Sequence, residues 1–107
     1  EFGKFGIGIC FDVRFPELTR YYQEKDCSMM IFPGAFNTTT GPAHWELLLR
    51  ARAVDYQMFV CAVSPARDLS SSYHAWGHSS IVNPWGEVIG TTDETPSIVA
   101  IEINLEK

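Results

Sequence analysis

The sequence has no apolar run long enough to cross a bilayer as a helix. Its longest stretches, such as Met58-Phe59-Val60-Cys61-Ala62-Val63, fall far short of the roughly 20 residues a spanning helix needs, and nothing resembles a signal peptide. No membrane partner is therefore expected. It also has no basic patch: the formal net charge is −5, residues 1–78 hold seven basic and eight acidic side chains, and residues 79–107 hold one and five. Without a cluster of cations to displace counterions from a phosphate backbone, nucleic-acid binding is not expected. Cysteine is sparse. Cys10, Cys27 and Cys61 are odd in number, far apart and free of any C-x-x-C pairing, which fits a reducing compartment and offers neither a disulfide framework nor a zinc motif. His74 and His78 are four apart, but Trp76-Gly77 separates them and no acidic partner accompanies them, so no metal is expected. Internal repeats, linkers and low-complexity tracts are absent.

What remains is an ordinary globular composition, 46% hydrophobic and 20% charged, in a chain of 107 residues and 12.0 kDa. That length allows one domain with a modest core, burying about two thirds of its unfolded surface. The pattern is β-α-β-α-β followed by a β-rich tail. Residues 5–9 and 28–32 read as buried strands, the second closed by Pro33-Gly34. Pro16 sits where a first helical position tolerates it, ahead of Glu17-Leu18-Thr19-Arg20. A hydroxyl- and amide-rich loop over 35–41 leads through Pro42 to a helix over 44–55. In that helix Trp45, Leu48 and Leu49 form one apolar set, and Leu47, Ala51 and Val54 a second, which predicts burial on more than one side. Residues 58–64 read as a strand covered on both faces. After a loop over 65–77, residues 78–83 and 87–90 flank Pro84-Trp85-Gly86 as a hairpin, and 98–103 reads as a closing strand.

Chemistry concentrates at Gly8-Ile9-Cys10-Phe11-Asp12-Val13-Arg14-Phe15-Pro16. Cys10 falls between a strand and a helix, where the partial positive charge of the helix N-terminus favours thiolate and free backbone N–H groups can bind an oxyanion. The competing use of Cys10 is as a small buried apolar residue. Asp12 and Arg14 suit the mouth of a polar pocket, where an arginine can grip a carboxylate bidentately, or they neutralise each other on the surface.

These residues resemble the nitrilase, or carbon–nitrogen hydrolase, superfamily, and within it the omega-amidases that hydrolyse 2-oxoglutaramate and 2-oxosuccinamate. The resemblance runs through the cysteine motif, Phe32-Pro33-Gly34-Ala35-Phe36-Asn37, Thr39-Thr40-Gly41-Pro42-Ala43-His44-Trp45-Glu46, Ser64-Pro65-Ala66-Arg67-Asp68 and Asn83-Pro84-Trp85-Gly86. It implies an α/β fold, part of an α-β-β-α sandwich that pairs through its helices as a homodimer, acting on a small-molecule amide without a cofactor. It implies that Cys10 is the nucleophile, that the Phe11 backbone N–H holds the oxyanion, that Arg14 clamps the far carboxylate of the substrate, and that Phe36 and Thr40 line the pocket. The other uses of Phe36 and Thr40 are core packing and capping of the helix near Pro42. Cys27 and Cys61 are then structural. Cytoplasm is the expected compartment, with an organellar leader ahead of Glu1 as the open alternative. Competing functions are a neighbouring branch, deaminated-glutathione amidase or N-carbamoyl hydrolase, and a non-catalytic interaction remnant.

The resemblance also implies a glutamate base and an oxyanion-stabilising lysine well ahead of the cysteine, and Glu1 and Lys4 are too close to Cys10 to be those groups. Residues 1–107 are therefore expected to be a partial carbon–nitrogen hydrolase domain, lacking an N-terminal part and a C-terminal tail. On its own such a piece is expected to be inactive and to expose apolar faces. At Asp55-Tyr56-Gln57 the chain departs from the family's usual acidic-Asn-Gln sequence, which puts the local helix-end contacts in question.

Overall fold

Three apolar runs, each followed or preceded by a proline or glycine break, become the parallel half of a sheet. The computed structural model describes residues 3–105. The elements in chain order are β1 (Phe5–Ile7), a 3-10 turn (Cys10–Arg14), α1 (Pro16–Gln23), β2 (Met29–Pro33), a π-helical turn (Gly41–Trp45), α2 (Glu46–Tyr56), β3 (Phe59–Val63), β4 (Ser80–Val82) and β5 (Val88–Thr91). The five-stranded sheet has the order β1-β2-β3-β4-β5, with β1, β2 and β3 parallel and the last two pairs antiparallel. Met30 stands opposite Val60, Phe32 opposite Ala62, and Val60 opposite Val82. These side chains share one face because strand side chains alternate.

That face carries the core. Met30, Phe32, Val60, Ala62 and Val82 are buried against Val13, Trp45, Leu49 and Ala53 from the helical layer. Leu49 is 1% exposed, and burial of such a side chain stabilises by about 1.5–3 kcal/mol. The described residues thus form one helical layer on one sheet; the second sheet of the expected sandwich is not among them.

Helix boundaries follow local chemistry. Extended Phe15, at φ −109° and ψ 101°, precedes Pro16 as proline sterics require, and the helix starts there as expected. At the far end of α2, Gln57 adopts the left-handed conformation and donates its N–H to Ala53 O, while the Met58 N–H reaches the same carbonyl. Half-buried Tyr56 packs against the core. The departure at Asp55-Tyr56-Gln57 therefore leaves the helix end closed.

Several expectations are corrected. The first strand ends at Ile7 rather than at residue 9, because Cys10 takes a left-handed φ of 48° that a ladder cannot continue. The helix expected over 44–55 begins three residues earlier, and its first turn is π-helical. Both hairpin strands are shifted, to Ser80–Val82 and Val88–Thr91. Asn83 Oδ1 accepts the N–H groups of Trp85 and Glu87, and Gly86 takes φ 91°, which closes the turn early and leaves a register shift at Ile81/Val82. The segment 98–103 is not a strand. It packs Val99 and Ile101 on Gly90 of β5, and Leu105 lies against Gly3, beside β1, so the chain passes over the sheet face from one edge to the other and cannot join the ladder. Finally, Leu47 is 62% and Val54 52% exposed, so the second apolar set of α2 is not buried within this chain.

Candidate active site

Parallel strands deliver their C-terminal ends to one rim, and Cys10 lies just past the end of β1 on that rim. The Gly8 N–H still donates to Ile31 O at 3.0 Å, and Ile9 is extended at φ −122° and ψ 119°. Cys10 then turns left-handed, a conformation costing about 1–3 kcal/mol for a residue with a Cβ and concentrated at functional sites. Two features hold it. Asp12 Oδ2 accepts the Ile9 N–H at 2.9 Å while the Asp12 N–H donates to Ile9 O at 2.9 Å, closing the turn from both sides. Gly34, pinned by its N–H to Val63 O at 2.9 Å, lets the backbone of β2 approach, since a Cβ there would lie 2.9 Å from Cys10 Cα. Asp12 is therefore a fastener of the turn, and among the described residues it makes no ion pair with Arg14.

The first internal bond of the 3-10 turn is that Asp12 N–H to Ile9 O, so the Cys10 and Phe11 N–H groups precede it and are open donors among the described residues. The Phe11 side chain is 61% exposed and meets Phe15 edge to face at 5.7 Å.

Arg14 leaves the same turn toward the loop after β2. Its guanidinium carbon lies 5.3 Å from the ring centroids of both Phe11 and Phe36, and Nη2 is 3.3 Å from His44 Nδ1. Phe36 is buried and meets Trp45 edge to face at 5.0 Å, so it packs in the core and serves as a platform for Arg14 at once. Thr40 caps nothing with its hydroxyl. Asn37 Oδ1 instead accepts from Thr39 N, Thr40 N and Thr40 Oγ1, at 2.9, 2.7 and 3.0 Å, and so orders the approach to the π-helical turn. Cys10, Phe11, Arg14 and Phe36 thus come together, with Thr40 on the loop that carries Phe36.

Sequence reasoning missed His44 and Trp76. Helical periodicity absorbs His44, and only the wider π turn reveals its different aim. Trp76 fills the space over Gly41, where a Cβ would lie 2.2 Å from the indole, and the Trp76 backbone N–H donates to Phe36 O at 2.6 Å. Arg67 reaches Ala75 O and Trp76 O at 2.8 and 3.0 Å, and the Tyr73 hydroxyl donates to Ala35 O, so the loop over 65–77 clamps the loop over 35–41. His78 stacks on Trp76 at 4.3 Å and its Nδ1 is 2.8 Å from Trp76 O. Among the described residues no group of three His, Cys, Asp or Glu side chains could hold a metal.

The remaining thiols and Lys4 lie elsewhere. Cys61 faces the side of the sheet away from the helices, and burial pushes its pKa up. Cys27 packs against the core. Lys4 Nζ reaches Lys25 O at 3.5 Å, at the end of β1 remote from Cys10; Glu1 lies outside the described residues.

Comparison with known proteins places this geometry. A hydrolase of Schizosaccharomyces pombe is 62% identical over 104 residues, covering 97% of this chain and 32% of that protein. Omega-amidase NIT2 of Danio rerio is 57% identical over 103 residues, covering 96% of this chain and 37% of that protein. Among solved structures, Nit3 of Saccharomyces cerevisiae, a member of branch 10 of the nitrilase superfamily, superposes with a TM-score of 0.87 and 55% identity over 89% of this chain and 35% of that one. The chain spans about a third of the length of the curated relatives it matches. The carbon–nitrogen hydrolase family model matches residues 1–107, and the chain belongs to that family.

Proposed function

We propose that this chain is the nucleophile-bearing part of an omega-amidase-type hydrolase acting on a 2-oxo dicarboxylic acid monoamide such as 2-oxoglutaramate or 2-oxosuccinamate. The observation that carries the reading is the strained left-handed Cys10, with open N–H donors beside it and Arg14 four residues on. In this reading the Cys10 thiolate attacks the amide carbon, and the Phe11 N–H stabilises the tetrahedral oxyanion. The C–N bond breaks, the nitrogen takes up a proton and leaves as ammonia, and a thioester remains on Sγ. Water then cleaves the thioester, releasing the dicarboxylate and returning the thiol. Arg14 grips the far carboxylate between the faces of Phe11 and Phe36, and Thr40 lines the same side.

Identity of 57% to an omega-amidase over nearly the whole chain supports this substrate class over the neighbouring amidase branches. The base that takes the thiol proton and the lysine that shares the oxyanion are assigned to residues outside this chain. A homodimer joined through the exposed α2 face, carrying Leu47 and Val54, belongs to the same proposal. Incubation of the protein that carries this chain with 2-oxoglutaramate tests the mechanism. Ammonia release with a transient acyl adduct on Cys10 in intact-mass spectra supports it, and turnover surviving Cys10→Ala overturns it.

A further inference from the structure

The Arg14–His44 contact assigns His44 a task beyond the helix it begins. A guanidinium only donates hydrogen bonds, so the 3.3 Å contact requires Nδ1 of His44 to be the acceptor, with no proton on that atom. We infer that His44 is a positioning residue: its unprotonated Nδ1 fixes the guanidinium plane of Arg14 so that the remaining N–H groups face the substrate's far carboxylate. This rests on the proposed role of Arg14.

The fold supplies the means. An ordinary α-helical first turn would aim residue 44 differently, but residues 41–45 form a wider π turn, a feature that recurs at functional sites. That turn is fixed on both sides of His44. Gly41 lies against the indole of Trp76, and the indole N–H of Trp45 donates to His78 O at 2.7 Å while its ring meets Phe36. The imidazole therefore stands on a rigid backbone, next to an arginine already confined by two aromatic rings. The rings restrict the guanidinium to a slot, but their attraction is weakly directional; the hydrogen bond to Nδ1 sets its rotation within that slot.

The test uses the protein that carries this chain, with two amides of equal length: one bearing the far carboxylate and one neutral. His44→Leu is expected to raise KM for the carboxylated amide about tenfold or more, the worth of one hydrogen bond to a charged group, with kcat within about threefold. The neutral amide is expected to be unaffected. His44→Asn, whose Oδ1 takes the place of Nδ1, restores the wild-type KM. If His44→Leu does not fold, His44→Phe keeps a planar ring without the acceptor and reads the same contrast. Unchanged KM for the carboxylated amide, or equal losses on both amides, overturns the inference. Arg14→Ala separates the two levels: a selective KM rise there with none in His44→Leu sinks the His44 role alone, whereas no rise in either removes the clamp and this inference with it.

Discussion

The two faces of the five-stranded sheet are made from similar side chains and meet different surroundings. On the helix side Met30, Phe32, Val60, Ala62 and Val82 are almost entirely buried. On the other side Phe5, Ile7 and Val63 are 48%, 56% and 49% exposed, and Ile31, Cys61 and Ile81 are only half-buried, with residues 97–105 crossing over part of them. Apolar alternation says that a face wants covering, not that the same chain supplies the cover. The difference locates the stability of these 107 residues on one side and their unmet contacts on the other.

The largest effect is expected from separating the two. Expressed alone, residues 1–107 should bind a hydrophobic dye through the open face and release no ammonia from 2-oxoglutaramate above a Cys10→Ala control. Loss of one positioned acid/base group by itself removes about 10²–10⁴ in rate. Clear turnover by the 107 residues, measured as ammonia, would mean that the base lies within them after all.

Within the chain, substitutions on the two faces should differ sharply. Leu49→Ala leaves a cavity under the covered face and is expected to cost about 2–5 kcal/mol in urea denaturation. Ile7→Ala, on the open face, should cost less than about 1 kcal/mol because half of that side chain is already in water. Equal losses would contradict the assignment of the core to one side.

The covered face was legible in the sequence because it rests on local signals. Pro16 marked the start of α1, and the runs around Met29–Pro33 and Phe59–Val63 marked strands β2 and β3 within a residue or two, although β3, expected to be covered on both faces, leaves Val63 49% exposed among the described residues. Three other features were not legible, two because their partners are distant and one because a local carboxylate turns back on its own backbone. The segment 98–103 has strand composition, but its neighbours are side chains of the open face rather than a free edge. Asp12 looked like a pocket charge, yet its carboxylate fastens the Ile9 N–H three residues back. His44 sat within a helical period that the π turn breaks, and its partner Arg14 is 30 residues away. Cys10 was legible as a thiol between a strand and a helix, whereas the 3-10 turn that separates it from α1, its strain and its support from Gly34 required the third dimension.

A smaller effect probes the rim where the two faces meet. Gly34→Ala would set a Cβ 2.9 Å from the backbone Cα of Cys10, so either the turn at residues 10–14 or the end of β2 must shift. A shift of this size at the proposed nucleophile is expected to lower kcat about 10²-fold in the protein that carries this chain, while costing only about 1–3 kcal/mol in stability. Unaltered kcat would mean that the left-handed Cys10 needs no close approach from β2.

The smallest effect concerns Cys61, which reports how well the open face is covered. Residues 97–99 line one cavity with it, and burial raises its pKa. A thiol whose folded pKa is raised ionises first in the unfolded chain. Its contribution to stability is therefore fully present below the unfolded value of about 8.5 and declines as pH rises through that value toward the raised folded one. Cys61→Ala should flatten this part of the stability profile relative to the wild type, leaving the common tyrosine and lysine titrations unchanged. Val99→Asp, which opens the cover without touching the sulfur, should make Cys61 react faster with iodoacetamide near pH 8 while leaving the rate at Cys10 as it was. If alkylation of Cys61 is indifferent to position 99, its shielding comes from the strands alone, and the crossing segment lies on the open face without sealing it.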